Sequence, residues 1–234
     1  MSYQVLYEDN HLIAINKPAG VLSQGDETGD ATVMDWAKNY IKFRYDKPGD
    51  VFLGQIHRLD RPVSGVILFA RTSKALTRMN EQFKARKVTK TYWAIVTDQP
   101  KPIEGTLTGY IYKDRERNRS KIVPKANSNR HQGAKPAKLS YKLLGRIGTN
   151  VLLSVRLDTG RPHQIRVQLA DQLGCPIRGD IKYGARSRNE DGNINLHARV
   201  LEFTHPVKKT PVRVEAPVPR EDQIWGLFHE MEEW

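Results

Sequence analysis

Strand-length apolar runs broken by turn residues recur along most of this sequence, while few stretches carry a helical period, so the core has to be built chiefly on a β-sheet. Tyr3, Val5 and Tyr7 alternate with other residues and, after Glu8-Asp9-Asn10, give way to Leu12, Ile13, Ala14 and Ile15, which predicts a hairpin. Lys17-Pro18-Ala19-Gly20 ends it, because proline has no amide to continue a ladder. The run from Val66 to Ala70, after Gly65, suits a strand buried on both faces. Further strands are predicted over residues 91–96, 139–144, 151–157, 196–203 and 212–216.

Helical spacing is found over residues 30–45 (Val33, Trp36, Ala37, Tyr40, Phe43), with Asp30 as the expected N-cap, and over 72–86 (Leu76, Met79, Phe83), capped by Thr72 or Ser73. A third helix is expected from Gly160-Arg161-Pro162, with the proline in its first turn, Ile165, Leu169 and Leu173 on one face and Gly174 as its stop. Residues 105–138 are polar and rich in turn formers and read as loop with at most short strands. No repeat or long linker divides the chain. The expected fold class is α+β: a single domain over residues 1–234, on a largely antiparallel mixed sheet with flanking helices.

Composition narrows the function classes. An apolar share of 38% over 234 residues argues against general disorder. Cys175 stands alone, which fits a reducing compartment, and neither a membrane-length apolar run nor a leader-like start is found, so the expectation is a soluble cytoplasmic monomer with no membrane partner. The formal net charge is +12, and residues 113–146 hold eleven basic side chains against Asp114 and Glu116. A second basic cluster spans residues 71–90. Such segregation suits a polyanion, although a solvated face would carry the same residues.

Polar groups crowd two places where a core would be expected. In Ile56-His57-Arg58-Leu59-Asp60-Arg61-Pro62, one carboxylate is flanked by two guanidinium groups just before the apolar strand. That pattern serves an ionised carboxylate acting as nucleophile or base, or an ion pair that anchors a loop. In Gly160-Arg161-Pro162-His163-Gln164-Ile165-Arg166, Arg166 would need an anionic partner if buried, and Asp60 is a candidate. His57 and His163 lack a third ligand at metal spacing, so no metal is expected.

These segments resemble the RNA pseudouridine synthases of the RluA type. His57-Arg58-Leu59-Asp60 followed by Ser64-Gly65 is similar to the family's HRLDxxTSG motif, Lys90-Thr91-Tyr92-Trp93-Ala94 to its KxYxA strand, and residues 160–166 to its GRTHQIR motif. Asn16-Lys17-Pro18-Ala19-Gly20, Gly179-Asp180 with Tyr183-Gly184, and Leu196-His197-Ala198 match further blocks in order. Val63 and Pro162 stand where the family has threonine, and Gln168 where histidine is common.

The resemblance implies a pseudouridine-synthase-like fold, isomerisation of uridine in structured ribosomal or transfer RNA, and no cofactor or metal. It assigns Asp60, Tyr92 and Arg166 as catalytic, with Arg166 pairing with Asp60. Asp60 would attack sugar or base, or remove a ribose proton, and Tyr92 would stack on the uracil and relay the C5 proton. Arg58, His57, Arg61, Arg161 and His163 are expected to bind substrate. Arg58 would fill the space left by a flipped base or hold that base, or else form a second ion pair with Asp60. The chain is expected to lack the separate N-terminal RNA-binding domain that precedes the catalytic domain in many relatives. Competing classes are a non-catalytic RNA-binding or ribosome-assembly factor with the same fold, and a hydrolase using His57, Asp60 and His163.

Overall fold

The computed structural model describes residues 3–25, 29–124, 132–229 and 231. In chain order it contains β1 (Gln4–Glu8), β2 (Leu12–Lys17), α1 (Val33–Arg44), β3 (Gly54–Gln55), β4 (Ser64–Ala70), α2 (Ser73–Lys84), β5 (Thr89–Val96) and β6 (Glu104–Asp114). There follow β7 (Arg119–Val123), β8 (Lys135–Ile147), β9 (Asn150–Leu157), α3 (Gln164–Asp171), β10 (Leu196–Thr204), β11 (Pro211–Glu215) and α4 (Gln223–Gly226). The class is α+β, as the apolar runs predict. No helix among the described residues is long and apolar enough to cross a membrane.

The chain divides into two compact units, Met1–Val88 with Ala198–Pro219, and Thr89–His197 with Arg220–Trp234. In the first, β2 pairs antiparallel with both β1 and β4, placing Leu12 opposite Ala70 and Lys17 opposite Gly65. All of β4 is buried, as its uninterrupted apolar run requires. Leu12, Ala14, Val66, Leu68 and Ala70 share a cluster with Ala75 and Met79 of α2 and with Leu201, Phe203 and Val214 of the β10–β11 pair. Each Val, Leu, Met or Phe side chain among them contributes about 1.5–3 kcal/mol through burial, and each alanine methyl about 0.8 kcal/mol.

Thr72 caps α2 by accepting from the Ala75 amide at 3.2 Å, as expected. The cap of α1 is Thr32 rather than Asp30. The Thr32 hydroxyl accepts from Asp35 N–H at 3.1 Å and the Asp35 carboxylate accepts from Thr32 N–H at 3.1 Å, a reciprocal box that satisfies two donors where Asp30 alone would satisfy one.

The second unit is an antiparallel ladder in the order β5-β9-β8-β6-β7. Residues 105–138 depart from the loop expectation: they hold nearly all of β6, the whole of β7 and the start of β8. Over residues 104–109, β6 alternates exposed with half-buried positions, so one face carries polar residues while the ladder from Glu104↔Lys142 to Ile111↔Lys135 holds the backbone. Pairing with a strand distant in sequence overrides weak local hydrophobicity here. Lys125 and Arg130 of the basic segment lie outside the described residues.

Helix α3 starts at Gln164, two residues later than proline in its first turn would place it, and His163 before it is left-handed with φ 52°. Ser120 Oγ donates to the Pro162 carbonyl at 2.6 Å and the Gln164 side chain accepts from Arg161 N–H at 3.0 Å, so the preceding turn is tied to its surroundings instead of to a helical ladder. Residues 164–169 are all buried, so α3 is enclosed rather than striped, and Leu173 lies beyond its end.

Candidate active site

In the first unit, the segment bearing Asp60 is pinned on both sides. Leu59 is zipped to Ser23, whose hydroxyl donates to the Leu59 carbonyl at 2.8 Å and accepts from its amide at 3.1 Å. The Arg61 carbonyl accepts from Gly20 N–H at 2.8 Å and from Lys17 Nζ at 3.2 Å. Lys17 is fully buried, and its ammonium also donates to the carbonyls of Pro18 and Val21 at 2.8 and 2.7 Å. Burial pushes the Lys17 pKa down to about 7, while the Asp60 carboxylate favours its charged form and Arg61 opposes it. The half-buried Asp60 therefore projects from a backbone with little freedom, backed by a buried ammonium.

Gly65, which closes this motif, has φ +110°, and a Cβ there would collide with the backbone of Ala198. The position needs glycine because of both its dihedral and the close approach of β10. Lys17 and Ser23 were not singled out from the sequence. A lysine ending a strand normally reads as solvated; its place in Asn16-Lys17-Pro18-Ala19-Gly20 was the one available signal.

The other expected residues of this unit take different positions. Arg58 is exposed. Arg61 turns outward: Nε donates to the Gly20 carbonyl at 2.9 Å and a terminal nitrogen lies 3.0 Å from Asp30, with both side chains about half exposed. His57 Nε2 accepts from Leu68 N–H at 3.1 Å, and the ring stacks on Phe83 with centroids 5.3 Å apart, so that nitrogen is engaged in holding the segment to β4.

In the second unit, Tyr92 sits half-buried on β5 opposite Val155 of β9, next to the buried Trp93 and Ala94. The turn before α3 is ordered by Gln164, which accepts from the Thr159 hydroxyl at 2.8 Å and donates to the Lys138 carbonyl at 3.1 Å. Arg161 Nε donates to the Pro136 carbonyl at 2.8 Å.

Arg166 is buried, and the structure gives it a carboxylate that the sequence reading left without a role. Its Nε and Nη2 donate in parallel to Asp180 Oδ2 and Oδ1 at 2.6 and 2.8 Å. The guanidinium also lies over the Tyr183 ring, 5.1 Å from its centroid. Tyr183 Oη accepts from Ser120 N–H at 2.8 Å and lies 2.7 Å from His163 Nδ1, while His163 Nε2 lies 3.4 Å from Lys113 Nζ. Burial raises the Tyr183 pKa, against the Ser120 hydrogen bond and the Arg166 charge. Among the described residues no group of three His, Cys, Asp or Glu side chains is arranged to hold a metal ion.

The structure thus presents a carboxylate on a pinned loop, a half-buried strand tyrosine and a buried helix-borne arginine. The chain belongs to the RNA pseudouridylate synthase family, whose model matches residues 11–171 and so takes in all three segments. It is 37% identical, over 93% of its length and 66% of the relative's, to the ribosomal large subunit pseudouridine synthase D of Xylella fastidiosa. It is 36% identical, over 92% of its length and 68% of the relative's, to the ribosomal large subunit pseudouridine synthase C of Rickettsia prowazekii. The chain thus spans about two thirds of the length of these relatives. Its fold is that of human RNA pseudouridylate synthase domain containing 4, with TM-score 0.79 and 24% identity over 97% of this chain and 92% of that one.

Proposed function

We propose that this protein isomerises uridine to pseudouridine in RNA, with large-subunit ribosomal RNA as the first substrate to test and transfer RNA as the second. The observation that carries the reading is the family match over residues 11–171, a range that includes the Asp60, Tyr92 and Arg166 segments. The relatives' names supply the ribosomal substrate. On this reading residues 1–234 act as one catalytic domain, a monomer in the cytoplasm.

The reaction breaks the N1–C1′ bond, turns the uracil and forms a C5–C1′ bond, after which the C5 proton is lost and N1 carries a proton. Electrons balance within the nucleoside, so no redox partner is required. Asp60 is the catalytic carboxylate, as nucleophile or as base toward a ribose proton, and its pinned backbone holds it in a fixed attack direction. Arg166 is the hydrogen-bond donor to that carboxylate, a pairing that rests on the motif match, and orients it. Tyr92 stacks on the uracil and relays the C5 proton. Arg58 is exposed and suits the space left by an extruded base, a step that costs a few kcal/mol of unstacking. Arg61, Arg161, His57 and His163 support the substrate-binding segments through the contacts above. The basic side chains of β6, β7 and the exposed turn between them grip phosphates and position the RNA.

The test is tritium release from RNA labelled at uridine C5. Wild-type protein is expected to release tritium and Asp60→Ala to release none. An Asp60→Ala protein as active as wild type refutes the catalytic assignment, and RNA binding without release by wild type favours a non-catalytic binding factor.

A further inference from the structure

The chemistry assigned to Arg166 requires a guanidinium that points one way, and a long flexible side chain does not provide that alone. We propose that Asp180 is the positioning residue for Arg166: it grips the Nε/Nη2 edge so that the remaining N–H groups are presented in one direction. The inference rests on the reading of Arg166 as part of the catalytic machinery.

The two parallel hydrogen bonds, at 2.6 and 2.8 Å, form the planar fork that fixes an arginine in both position and tilt. Both side chains are nearly excluded from water, at 7% and 1% exposure, where an ion pair is favourable only with near-ideal geometry. Asp180 is itself immobilised. Its amide donates to the Ile177 carbonyl at 3.0 Å, and its carbonyl accepts from the amides of Tyr183 and Ala185 at 3.0 and 3.1 Å. Gly179 before it has φ +84°, and a Cβ there would meet the Asn193 carbonyl at 2.6 Å. The Tyr183 ring, held by Ser120 and His163, packs against the guanidinium and restricts its rotation.

A guanidinium has five N–H groups, and Asp180 takes one from Nε and one from Nη2. The pair is close to neutral, so Arg166 contributes mainly direction to the reacting carboxylate and comparatively little net charge. This gives a role to the Gly179-Asp180 and Tyr183-Gly184 block, which the motif match left unassigned.

The experiment compares wild type with Asp180→Asn, Asp180→Glu, Arg166→Lys and the Asp180→Asn/Arg166→Lys double variant. The probe is large-subunit ribosomal RNA, tritiated at uridine C5, from a strain lacking this protein. Circular dichroism checks folding, and NMR follows the Arg166 Nε–H resonance. Asp180→Asn is expected to lose about 100-fold in kcat with KM changed by less than about threefold. Asp180→Glu should fall between it and wild type, the double variant should be no worse than Arg166→Lys, and a solvent-protected Nε–H signal should be present in wild type and lost in Asp180→Asn.

Wild-type kcat in folded Asp180→Asn, losses that multiply in the double variant, or an unprotected Nε–H in wild type overturns the proposal. If Asp180→Asn does not fold, Asp180→Glu carries the comparison, with unchanged kcat overturning the proposal and reduced kcat at constant KM supporting it. Wild-type protein that releases no tritium overturns the functional reading instead, and the NMR signal then decides whether Asp180 orients Arg166.

Discussion

Replacing Lys17 by methionine keeps about the length of the lysine's aliphatic stem and removes its ammonium. Three carbonyls, those of Pro18, Val21 and Arg61, then lose a donor at 2.7–3.2 Å. The Arg61 carbonyl keeps the Gly20 amide, so two acceptors are left unsatisfied at about 1–3 kcal/mol each, partly offset because a buried charge is removed, and we expect a net loss of about 2–4 kcal/mol. That is a large fraction of the roughly 5–15 kcal/mol available to a domain. Urea unfolding at pH 7 measures it, and a loss below about 1 kcal/mol would refute the view that Lys17 staples this loop.

A pH series separates the charge from the packing. Because the folded pKa is lowered from 10.5 to about 7, the unfolded chain binds more protons between those values, and stability rises with pH across that window. At about 1.36 kcal/mol per pKa unit the ceiling is roughly 5 kcal/mol, reduced because the carbonyl hydrogen bonds favour the ammonium. Wild type should gain stability relative to Lys17→Met from pH 7 toward pH 10, and parallel curves would show that the lysine does not titrate there.

Arg166→Lys keeps the charge but loses the planar fork, so turnover should fall about 100-fold with RNA affinity nearly unchanged; unchanged turnover in the tritium assay counts against the arginine's role. Arg115→Glu with Arg117→Glu, both exposed, should weaken RNA binding and flatten its salt dependence while single-turnover rates at saturating RNA persist, as filter binding against salt would show. Gly65→Ala should cost at least about 3 kcal/mol or prevent folding, and a soluble variant of wild-type melting temperature would refute the close-approach argument. The Cys175 thiol, buried and pushed up to about 11, should resist a thiol reagent at pH 8 until the protein unfolds; rapid labelling of the native protein would contradict that.

Strands with a dense apolar run were legible because burial on both faces leaves no position for a polar side chain, as in β4. The cap at Thr72 was legible because a hydroxyl three residues before an amide acts locally. The ribbon of β6 and β7 was not, since its open face tolerates charge and β6 is held by a ladder to β8, which lies beyond β7 in the sequence. Thr32 was passed over because the capping box depends on Asp35 reaching back, which residue type alone does not decide between Asp30 and Thr32. The residues around Asp60 and Arg166 are legible as polar groups misplaced in apolar surroundings, but Lys17 beneath the one and Asp180 against the other are not.

The sequence by itself determined the class, the β-rich core and the family to which the motif segments belong, because burial patterns and motif order are written residue by residue. Tertiary structure decided what holds each group in place: Lys17 beneath the Asp60 loop, and Asp180 and Tyr183 around Arg166. The reason is physical. A hydrogen bond is short and directional, so its partner is chosen by which backbone the fold brings within about 3 Å, and spacing along the chain does not encode that.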